Sequence, residues 1–362
     1  MNRRTLLSGL AAASFLGMRG NPARADMPGG FVPAGHPLHQ SWQAWKTLCL
    51  TDDGRIVDGF QNSASHSEGQ GYGLALAAIF DDRTAFDTIM DWSDRNLAIR
   101  DDALMAWRWR PDTVPQVQDR NNASDGDLFY AWALVMAGAR QARPELIQRA
   151  ARIANDIVRL CSAPHPDGSG RLLMLPAAMG FRTAEQVVVN PSYYMPRAMR
   201  ELAQATDLPQ LSQMADDGVA LIDDLAHSGL VPDWIALTAQ GKAAPPANFS
   251  QNSGYEAIRV PLFALWSGQP GSPAVQNFAQ AAASGAPGDA SPVVFDLTTR
   301  AVVEASSHAG YGAVAALSSC ASSSAFGSAM RPFTTDQPYY PATLHLMALV
   351  AQATQFPKCV PI

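Results

Sequence analysis

Three acidic residues in the sequence stand just before apolar stretches, among small or polar neighbours. Two carboxyl groups facing each other across a groove are the minimal machinery for hydrolysing a glycosidic bond, because one protonates the departing oxygen and the other activates water or attacks the sugar. A single acid of this kind is more simply explained as a helix cap, but its recurrence favours a shared site. The three are Glu68 in Ser67–Gly73, Asp125 in Ala123–Asp127 and Glu256 in Tyr255–Val260.

The spacing of serine and acid predicts that these segments begin helices. The pairs with capping-box spacing are Ser65/Glu68, Ser124/Asp127 and Ser253/Glu256. A helix N-terminus favours an ionised carboxylate. A general acid at such a position therefore needs burial and a second carboxylate nearby to raise its pKa, and Asp125 is the candidate neighbour of Glu68.

The apolar pattern predicts the elements that position these acids. Residues 74–80 and 128–136 are apolar throughout, whereas 84–97 and 145–160 carry apolar residues on one face only. A buried helix followed by a half-buried one, repeated along the chain, predicts an inner ring of helices wrapped by an outer ring. The predicted inner helices begin near residues 68, 125, 191, 254 and 308.

We therefore predict an all-α chain that closes into a double ring of about six helical hairpins, with an open solenoid of the same hairpins as the alternative. Strand-like alternation is nearly absent, apart from residues 186–189. The loops before the inner helices of a closed ring open at one end, so the three acids are expected at one mouth.

Aromatic side chains near the acidic segments are candidates for binding a polysaccharide. A groove for sugars needs apolar platforms beside polar groups, and aromatic rings supply them. An aromatic residue in an all-α protein is more often part of the core, but Trp107 and Trp109 flank an arginine in a loop, where that reading is weaker. The candidates are Tyr72, Trp107, Trp109, Tyr130, Tyr193, Tyr194, Trp234 and Tyr255.

Length and composition favour one catalytic domain behind an export signal. The chain has 362 residues, of which 47% are hydrophobic and 16% charged, which suits a single large core. Arg3 and Arg4 precede an apolar run that ends at an A-x-A cleavage site, so residues 1–25 are predicted to be a signal peptide of the general or twin-arginine type. Residues 26–362 would then be the mature domain, located in the periplasm or secreted.

Charge and cysteine spacing limit the partners. The first 25 residues carry four arginines and no acid, so their removal takes the formal net charge from −6 to −10. Such an acidic protein is a poor partner for nucleic acid, whereas a neutral substrate is compatible with it. No C-x-x-C spacing joins the cysteines, so no zinc site is expected, and both disulfides and buried free thiols remain open. They are Cys49, Cys161, Cys320 and Cys359.

From about residue 40 to 350, the order and spacing of the motifs resemble glycoside hydrolase family 8. The resemblance implies an (α/α)6 barrel and an inverting endo-β-1,4-glucanase without metal or other cofactor. Within the family, the chain is most similar to the periplasmic endoglucanases encoded with bacterial cellulose synthase, which suggests that the synthase export machinery is a partner. The segments that carry the resemblance are Ser67–Gly73, Ala106–Trp109, Ala123–Asp127, Asn190–Tyr193, Val231–Trp234 and Tyr255–Val260.

The resemblance also implies roles for individual residues. Glu68 corresponds to the general acid, Asp125 to the aspartate that contacts the distorted sugar, and Tyr193 to the tyrosine that helps to position water. Arg259, one helical turn after Glu256, is expected to pair with an acid or with the sugar.

Glu256 occupies the position of the general base, but the family motif usually reads Tyr-Asp-Ala. The extra methylene moves the carboxylate by roughly 1.5 Å, and an error of about 1 Å in a site can cost ~10²-fold in rate. An inverting pair needs roughly 6.5–9.5 Å between its carboxyl groups, which a glutamate can still provide. We therefore keep Glu256 as the predicted base.

Three alternatives to a cellulase remain at this point. The same fold can act on xylan or chitosan, and chitosan, as a cationic polymer, suits an acidic protein. A non-catalytic glucan-binding protein would result if Glu256 cannot act as a base. A prenyl-transferring helical ring fits poorly, because its acid-rich metal-binding clusters are missing from the sequence.

Overall fold

Helices buried around almost their whole circumference line the inside of the fold. The computed structural model describes residues 31–286, 288–324 and 326–360, so the predicted signal peptide 1–25 lies outside the described residues. The buried helices are α2 (Ser67–Ile79), α4 (Ser124–Arg140), α8 (Arg259–Trp266) and α11 (Tyr339–Gln355). The helices that leave more of their surface half-buried or exposed are α1 (Leu38–Cys49), α3 (Arg83–Asn96), α5 (Pro144–Leu160), α6 (Pro196–Thr206), α7 (Pro209–His227), α9 (Pro273–Ala282) and α10 (Ala309–Ala321).

The helices pack in consecutive pairs and the ring is closed. α2 packs on α3, α4 on α5, α6 on α7, α8 on α9 and α10 on α11, while α1 packs against α11 and joins the two ends of the chain. The predicted (α/α)6 barrel is confirmed, and the open solenoid is excluded. No helix in the described ranges is long and apolar enough to cross a membrane.

Two glycines allow α2 and α4 to pack closely in the inner wall. A Cβ on Gly71 would lie 2.6 Å from the carbonyl oxygen of Gly126, and one on Gly126 would lie 2.5 Å from the carbonyl carbon of Ser67. Backbone atoms cannot yield to such a clash cheaply, so both positions require glycine. The close approach brings the first turn of α2, which carries Glu68, against the first turn of α4, which carries Asp125.

Short antiparallel strands brace the loops between the helices. The strand pairs are β1–β2, β3–β4, β5–β6–β7 and β8–β9. Only β5 was predicted, because the others are too short or irregular for alternation to show. They are β1 (Ser65–His66), β2 (Arg108–Trp109), β3 (Ser162–Pro164), β4 (Leu172–Met174), β5 (Gln186–Val189), β6 (Ile235–Thr238), β7 (Gly241–Ala243), β8 (Ser291–Phe295) and β9 (Val302–Ser306).

The prediction of an inner helix near residue 308 is confirmed by α10, in which nine of thirteen residues are buried. Its first turn lies against the first turn of α11, since a Cβ on Gly310 would lie 1.7 Å from the carbonyl oxygen of Pro341. α10 and α11 therefore run side by side as inner helices.

The cysteines divide into one disulfide and two thiols. Cys320, at the end of α10, is bonded to Cys359, while Cys49 and Cys161 are free and buried. Burial raises the pKa of both free thiols to about 12, so they are unreactive at neutral pH.

Candidate active site

A single buried guanidinium group joins the three predicted acids. Arg259, the first residue of α8, is only 1% exposed. Its Nη1 donates to Oε2 of Glu68 and its Nη2 donates to Oε2 of Glu256. Nη1 also lies 3.6 Å from Oδ2 of Asp125. The three acids thus meet at one mouth, as predicted, and one cation faces three carboxylates.

Glu68 lies in the first turn of α2, with its two oxygens in different surroundings. Oε2 contacts Arg259, whereas Oε1 accepts a hydrogen bond from the Tyr339 hydroxyl at 3.4 Å and lies 3.9 Å from Nδ1 of His66. Oε1 is therefore the oxygen of Glu68 that does not contact Arg259.

The predicted cap of α2 is wrong. The cap is His66, whose Nδ1 accepts a hydrogen bond from the backbone N–H of Gly69 at 3.0 Å. The hydroxyl of Ser65 instead donates to the carbonyl oxygen of Ile56 at 2.6 Å. Because Nδ1 is an acceptor, the ring proton lies on Nε2, which faces Asp58 at 3.5 Å.

Asp125 lies in the first turn of α4 and is 1% exposed. Its Oδ1 accepts from the backbone N–H of Gly126 at 2.8 Å, and Oδ2 has no hydrogen-bond partner among the described residues. Burial raises the pKa of Asp125 to about 7; the charge of Glu68 adds to the rise and Arg259 opposes it. Asp125 is therefore the carboxyl group of the cluster that takes up a proton near neutral pH.

The predicted capping box of α4 is also wrong. The Ser124 hydroxyl donates to the carbonyl oxygen of Leu175 at 2.6 Å. Asp127 accepts from the backbone N–H of Met105 at 2.8 Å and from the Asn122 side chain at 2.9 Å. Asp127 thus ties the preceding loop to α4, outside the group of acids around Arg259.

Glu256 lies in the turn just before α8. Asp233, which is not among the predicted site residues, holds this turn. Oδ1 of Asp233 accepts from the backbone N–H groups of Gly254, Glu256 and Ala257, at 2.7, 3.2 and 2.8 Å. The predicted cap Ser253 is therefore wrong. Asp233 belongs to the quoted motif Val231–Trp234, but sequence spacing gives no sign of a contact across more than twenty residues.

The carboxylate of Glu256 is fixed through one oxygen. Oε2 accepts from the Asn190 side chain at 2.9 Å and from Arg259, and Oε1 has no hydrogen bond within the part of the chain that the structure describes. Burial raises the pKa of Glu256, although Arg259 opposes the rise. Asn190, and Ser192, whose hydroxyl accepts from Nη2 of Arg259 at 2.8 Å, were not recognised as separate site residues in the sequence.

Three of the predicted aromatic platforms are core residues, so that part of the prediction is wrong. Tyr72 packs edge-on against Phe129 at 4.6 Å between centroids, and only its hydroxyl reaches the site, where it accepts from Arg259 at 3.2 Å. Tyr130 and Tyr194 are at most 1% exposed. Their hydroxyl groups bond to residues outside the cleft, that of Tyr130 to Asp94 and that of Tyr194 to the backbone N–H of Met174.

The other predicted aromatic residues keep part of their surface open, and Tyr193 and Tyr255 among them lie beside the acids and Arg259. Tyr193 lies with its ring centroid 5.7 Å from the Arg259 guanidinium and 6.2 Å from the ring of Trp234. Trp107 is half-buried and donates to Asp119 at 3.0 Å. The ring of Trp109 is already covered, because the Arg55 guanidinium lies 4.5 Å from its centroid.

An open cleft of about 280 Å³ runs past Glu68, Glu256 and Arg259. Tyr255, which is 44% exposed, stands in its wall, and the Tyr255 hydroxyl donates to Glu304 at 2.9 Å. The remaining lining residues are Asp58, Phe60, Gln61, His66, Tyr311 and Tyr340. A groove with two carboxylates and aromatic walls fits a neutral polysaccharide.

The family profile of "Glycosyl hydrolases family 8" matches residues 33–354. The chain belongs to glycosyl hydrolase family 8. A probable endoglucanase of Novacetimonas hansenii is 34% identical over 331 residues, which cover 89% of this chain and 93% of that protein. As a member of family 8, this protein is a glycoside hydrolase.

Two solved structures of the family have the same fold. The endo-β-1,4-glucanase CMCax from Acetobacter xylinum superposes with a TM-score of 0.76 at 32% identity, covering 88% of this chain and 98% of CMCax. A family 8 endo-β-1,4-glucanase from an Achatina fulica gut metagenomic library gives a TM-score of 0.77 at 30% identity, covering 86% and 97%.

The raised pKa of Asp125 predicts how stability depends on pH. Unfolded aspartate titrates near pH ~3.9, so the folded protein binds this proton more tightly, and the resulting stability is present below pH ~4 and lost as the pH rises through about 7. We expect Asp125→Asn to remove this loss and to be more stable than the wild type at pH 8, by at most about 4 kcal/mol. Urea unfolding at pH 5 and pH 8 measures the difference, with the surface variant Asp216→Asn as control. An identical pH dependence in wild type and Asp125→Asn would contradict the shift.

Proposed function

We propose that this protein is an endo-β-1,4-glucanase in which Glu68 and Glu256 cleave internal bonds of glucan with inversion at the anomeric carbon. The observation that carries the proposal is the shared contact of both carboxylates with Arg259 in an open cleft. An inverting hydrolase needs an acid and a base on opposite sides of the cleaved bond. Arg259 spaces the two side chains by the width of its guanidinium group.

In this mechanism Glu68 protonates the glycosidic oxygen through Oε1, the oxygen that is turned away from Arg259. The bond between the anomeric carbon and that oxygen breaks, and the leaving chain departs with the proton of Glu68. Oε1 of Glu256 takes a proton from a water molecule, whose oxygen attacks the anomeric carbon from the opposite face. At the end Glu68 is ionised and Glu256 is protonated, and exchange with solvent resets both.

The charges around Arg259 support this division of roles. Three carboxylates and one guanidinium group would leave a buried cluster with excess negative charge, so the cluster favours holding a proton. Asp125 reduces the excess negative charge when it is protonated, because its pKa is raised to about 7. We assign Asp125 to contact with the distorted sugar and Tyr193, beside Arg259, to positioning of the attacking water.

The polymer that the relatives suggest is β-1,4-glucan. The Novacetimonas hansenii relative is named a probable endoglucanase, and both solved structures are named endo-β-1,4-glucanases. Xylan and chitosan remain the alternatives within the fold. Initial rates on carboxymethyl cellulose, xylan and chitosan test the choice. We expect the highest kcat/KM on the glucan, and a higher value on xylan or chitosan would replace the substrate while keeping the mechanism.

We also propose that the protein acts in the periplasm or after secretion, on newly made glucan chains at the cellulose synthase export machinery. The disulfide between Cys320 and Cys359 supports an oxidising compartment. Fractionation of cells that express the full chain tests the location, and retention in the cytoplasm would contradict it.

A further inference from the structure

His66 both caps the helix that carries Glu68 and lies beside the carboxyl group of Glu68. It is 7% exposed in the wall of the cleft, and its Nδ1 accepts from the backbone N–H of Gly69 at 3.0 Å. The same nitrogen lies 3.9 Å from Oε1 of Glu68. A backbone N–H only donates, so Nδ1 carries no proton in this arrangement. The cap of α2 therefore exists only while His66 is neutral.

Asp58 selects this neutral form of His66. Its Oδ2 lies 3.5 Å from Nε2 of His66, which places the ring proton on Nε2. Asp58 is 5% exposed and also accepts from the backbone N–H of Phe60 at 3.0 Å and from the Gln61 side chain at 2.9 Å. Burial raises the pKa of Asp58, but His66 and these hydrogen bonds outweigh burial and hold the pKa below its usual range. Asp58 is therefore an anion at the pH where His66 titrates.

The charges around His66 favour a second proton on its ring. Burial lowers the pKa of His66, but the carboxylates of Asp58, Glu68 and Asp125 outweigh burial and raise the pKa above its usual value. Tyr339, edge-on at 5.4 Å between centroids, stays neutral because burial raises the pKa of its hydroxyl. His66 thus becomes a cation at a higher pH than an exposed histidine. The titratable and charged residues around it are Asp58 before β1, Arg108 opposite it on β2 with its guanidinium 5.2 Å from the ring centroid of Trp107, Glu68 on α2, Asp125 on α4 and Tyr339 on α11.

A proton on Nδ1 of His66 would change two contacts at once. Nδ1–H cannot accept from the Gly69 N–H, so the first turn of α2 loses its cap. The imidazolium also stands beside Oε1 of Glu68, the oxygen assigned to protonate the glycosidic oxygen. A cation about 4 Å from a carboxyl group favours the ionised form of that group. An ionised Glu68 has no proton to give, so both changes act against the acid step.

We propose that His66 is a positioning residue for Glu68 that acts as a pH switch. Neutral His66 caps α2 and leaves the proton of Glu68 undisturbed. Once His66 takes up a proton from solvent, the turn is released, Glu68 is ionised and cleavage stops. Asp58 acts through His66 and sets the pH of this change. The inference rests on the proposed glucanase function, and it adds a second proton to the acid limb of the pH–rate profile beside that of Glu256.

The test is the pH–rate profile of His66→Asn on carboxymethyl cellulose from pH 4 to 9. Asparagine is a good helix cap whose side-chain oxygen can accept from the Gly69 N–H, but it does not titrate. We expect the ratio of kcat at pH 5 to kcat at pH 8 to exceed that of the wild type by about fivefold or more. The matched control is His165→Asn, because His165 pairs with Asp167 at 2.8 Å outside the cleft. A His66→Asn profile that superposes on the wild-type profile after scaling to the maximum would reduce His66 to a cap and overturn the switch.

Asp58→Asn tests whether this carboxylate acts through His66. Alone, the variant should move the acid limb to lower pH, because His66 loses an anion that raises its pKa. In the His66→Asn background the same substitution should leave the limb in place, since the two residues then have no shared effect to lose. Equal shifts in both backgrounds would overturn the role given to Asp58.

Failure of the function and failure of the switch give different results. A wild type that is inert at every pH would contradict the glucanase proposal, and nitrogen-15 NMR of the histidine rings then decides the switch separately. A proton on Nε2 of His66 at pH 8, with a Gly69 amide signal that shifts at the midpoint of His66 protonation, would support it. A His66 that stays neutral down to pH 4, or that carries its proton on Nδ1 at pH 8, would overturn it.

Discussion

Replacing Glu68 by glutamine is expected to lower kcat on carboxymethyl cellulose by about 10²–10⁴-fold, the usual contribution of a general acid. The amide keeps the size of the side chain, but it has no proton to give to the departing oxygen. Its carbonyl oxygen can still accept from Arg259, so the site should stay assembled. Initial rates of reducing-end formation measure the effect.

A substrate with an activated leaving group tests the assigned role of Glu68. A dinitrophenyl leaving group departs without protonation, so the loss on dinitrophenyl cellobioside should be at least tenfold smaller than the loss on the polymer. The control is Glu201→Gln, because Glu201 bonds to Trp132 and Arg197 away from the cleft. Equal losses on both substrates would contradict Glu68 as the acid.

Replacing Arg259 by methionine is expected to lower kcat at neutral pH by about 10²-fold or more, because three carboxylates then lose the cation that they share. Without it the effect of burial on the pKa of Glu256 is no longer opposed, so this pKa rises and Glu256 becomes protonated where it must be ionised to act as a base. The acid limb of the pH–rate profile should therefore move to higher pH. Rates from pH 4 to 9 measure the shift.

Two further variants separate charge from packing at Arg259. Lysine keeps a positive charge but cannot contact two carboxylates with a rigid fork, so Arg259→Lys should recover part of the pH shift and little of kcat. Arg149→Met, which removes an arginine paired with Asp94 outside the cleft, controls for the loss of an ion pair. An unchanged acid limb in Arg259→Met, with folding confirmed by circular dichroism, would contradict the role of Arg259.

The closed helical ring could be predicted because its signals are local. The runs after Glu68 and Asp125 are apolar on every side, and a helix buried on every side belongs inside a fold. The position of each acid in the first turn of α2 and α4 followed from the same runs.

The partners of the acids could not be predicted, because they come from distant parts of the chain. Asn190 reaches Glu256 across 66 residues, and Arg259 reaches Glu68 across 191 residues. Two of the capping serines failed for a related reason: the hydroxyls of Ser65 and Ser124 donate to the carbonyl oxygens of Ile56 and Leu175 instead. Tyrosine is equally suited to a core and to a sugar platform, so the sequence could not separate buried Tyr130 from exposed Tyr255.

The most direct test of the inverting Glu68–Glu256 pair is the anomeric configuration of the first product, followed by proton NMR during hydrolysis of cellohexaose. The wild type is expected to release the α-anomer first, and Glu256→Gln, like Glu68→Gln, is expected to release almost no product. Initial release of the β-anomer would mean retention and would contradict the mechanism. Wild-type turnover by Glu256→Gln would show that another group is the base.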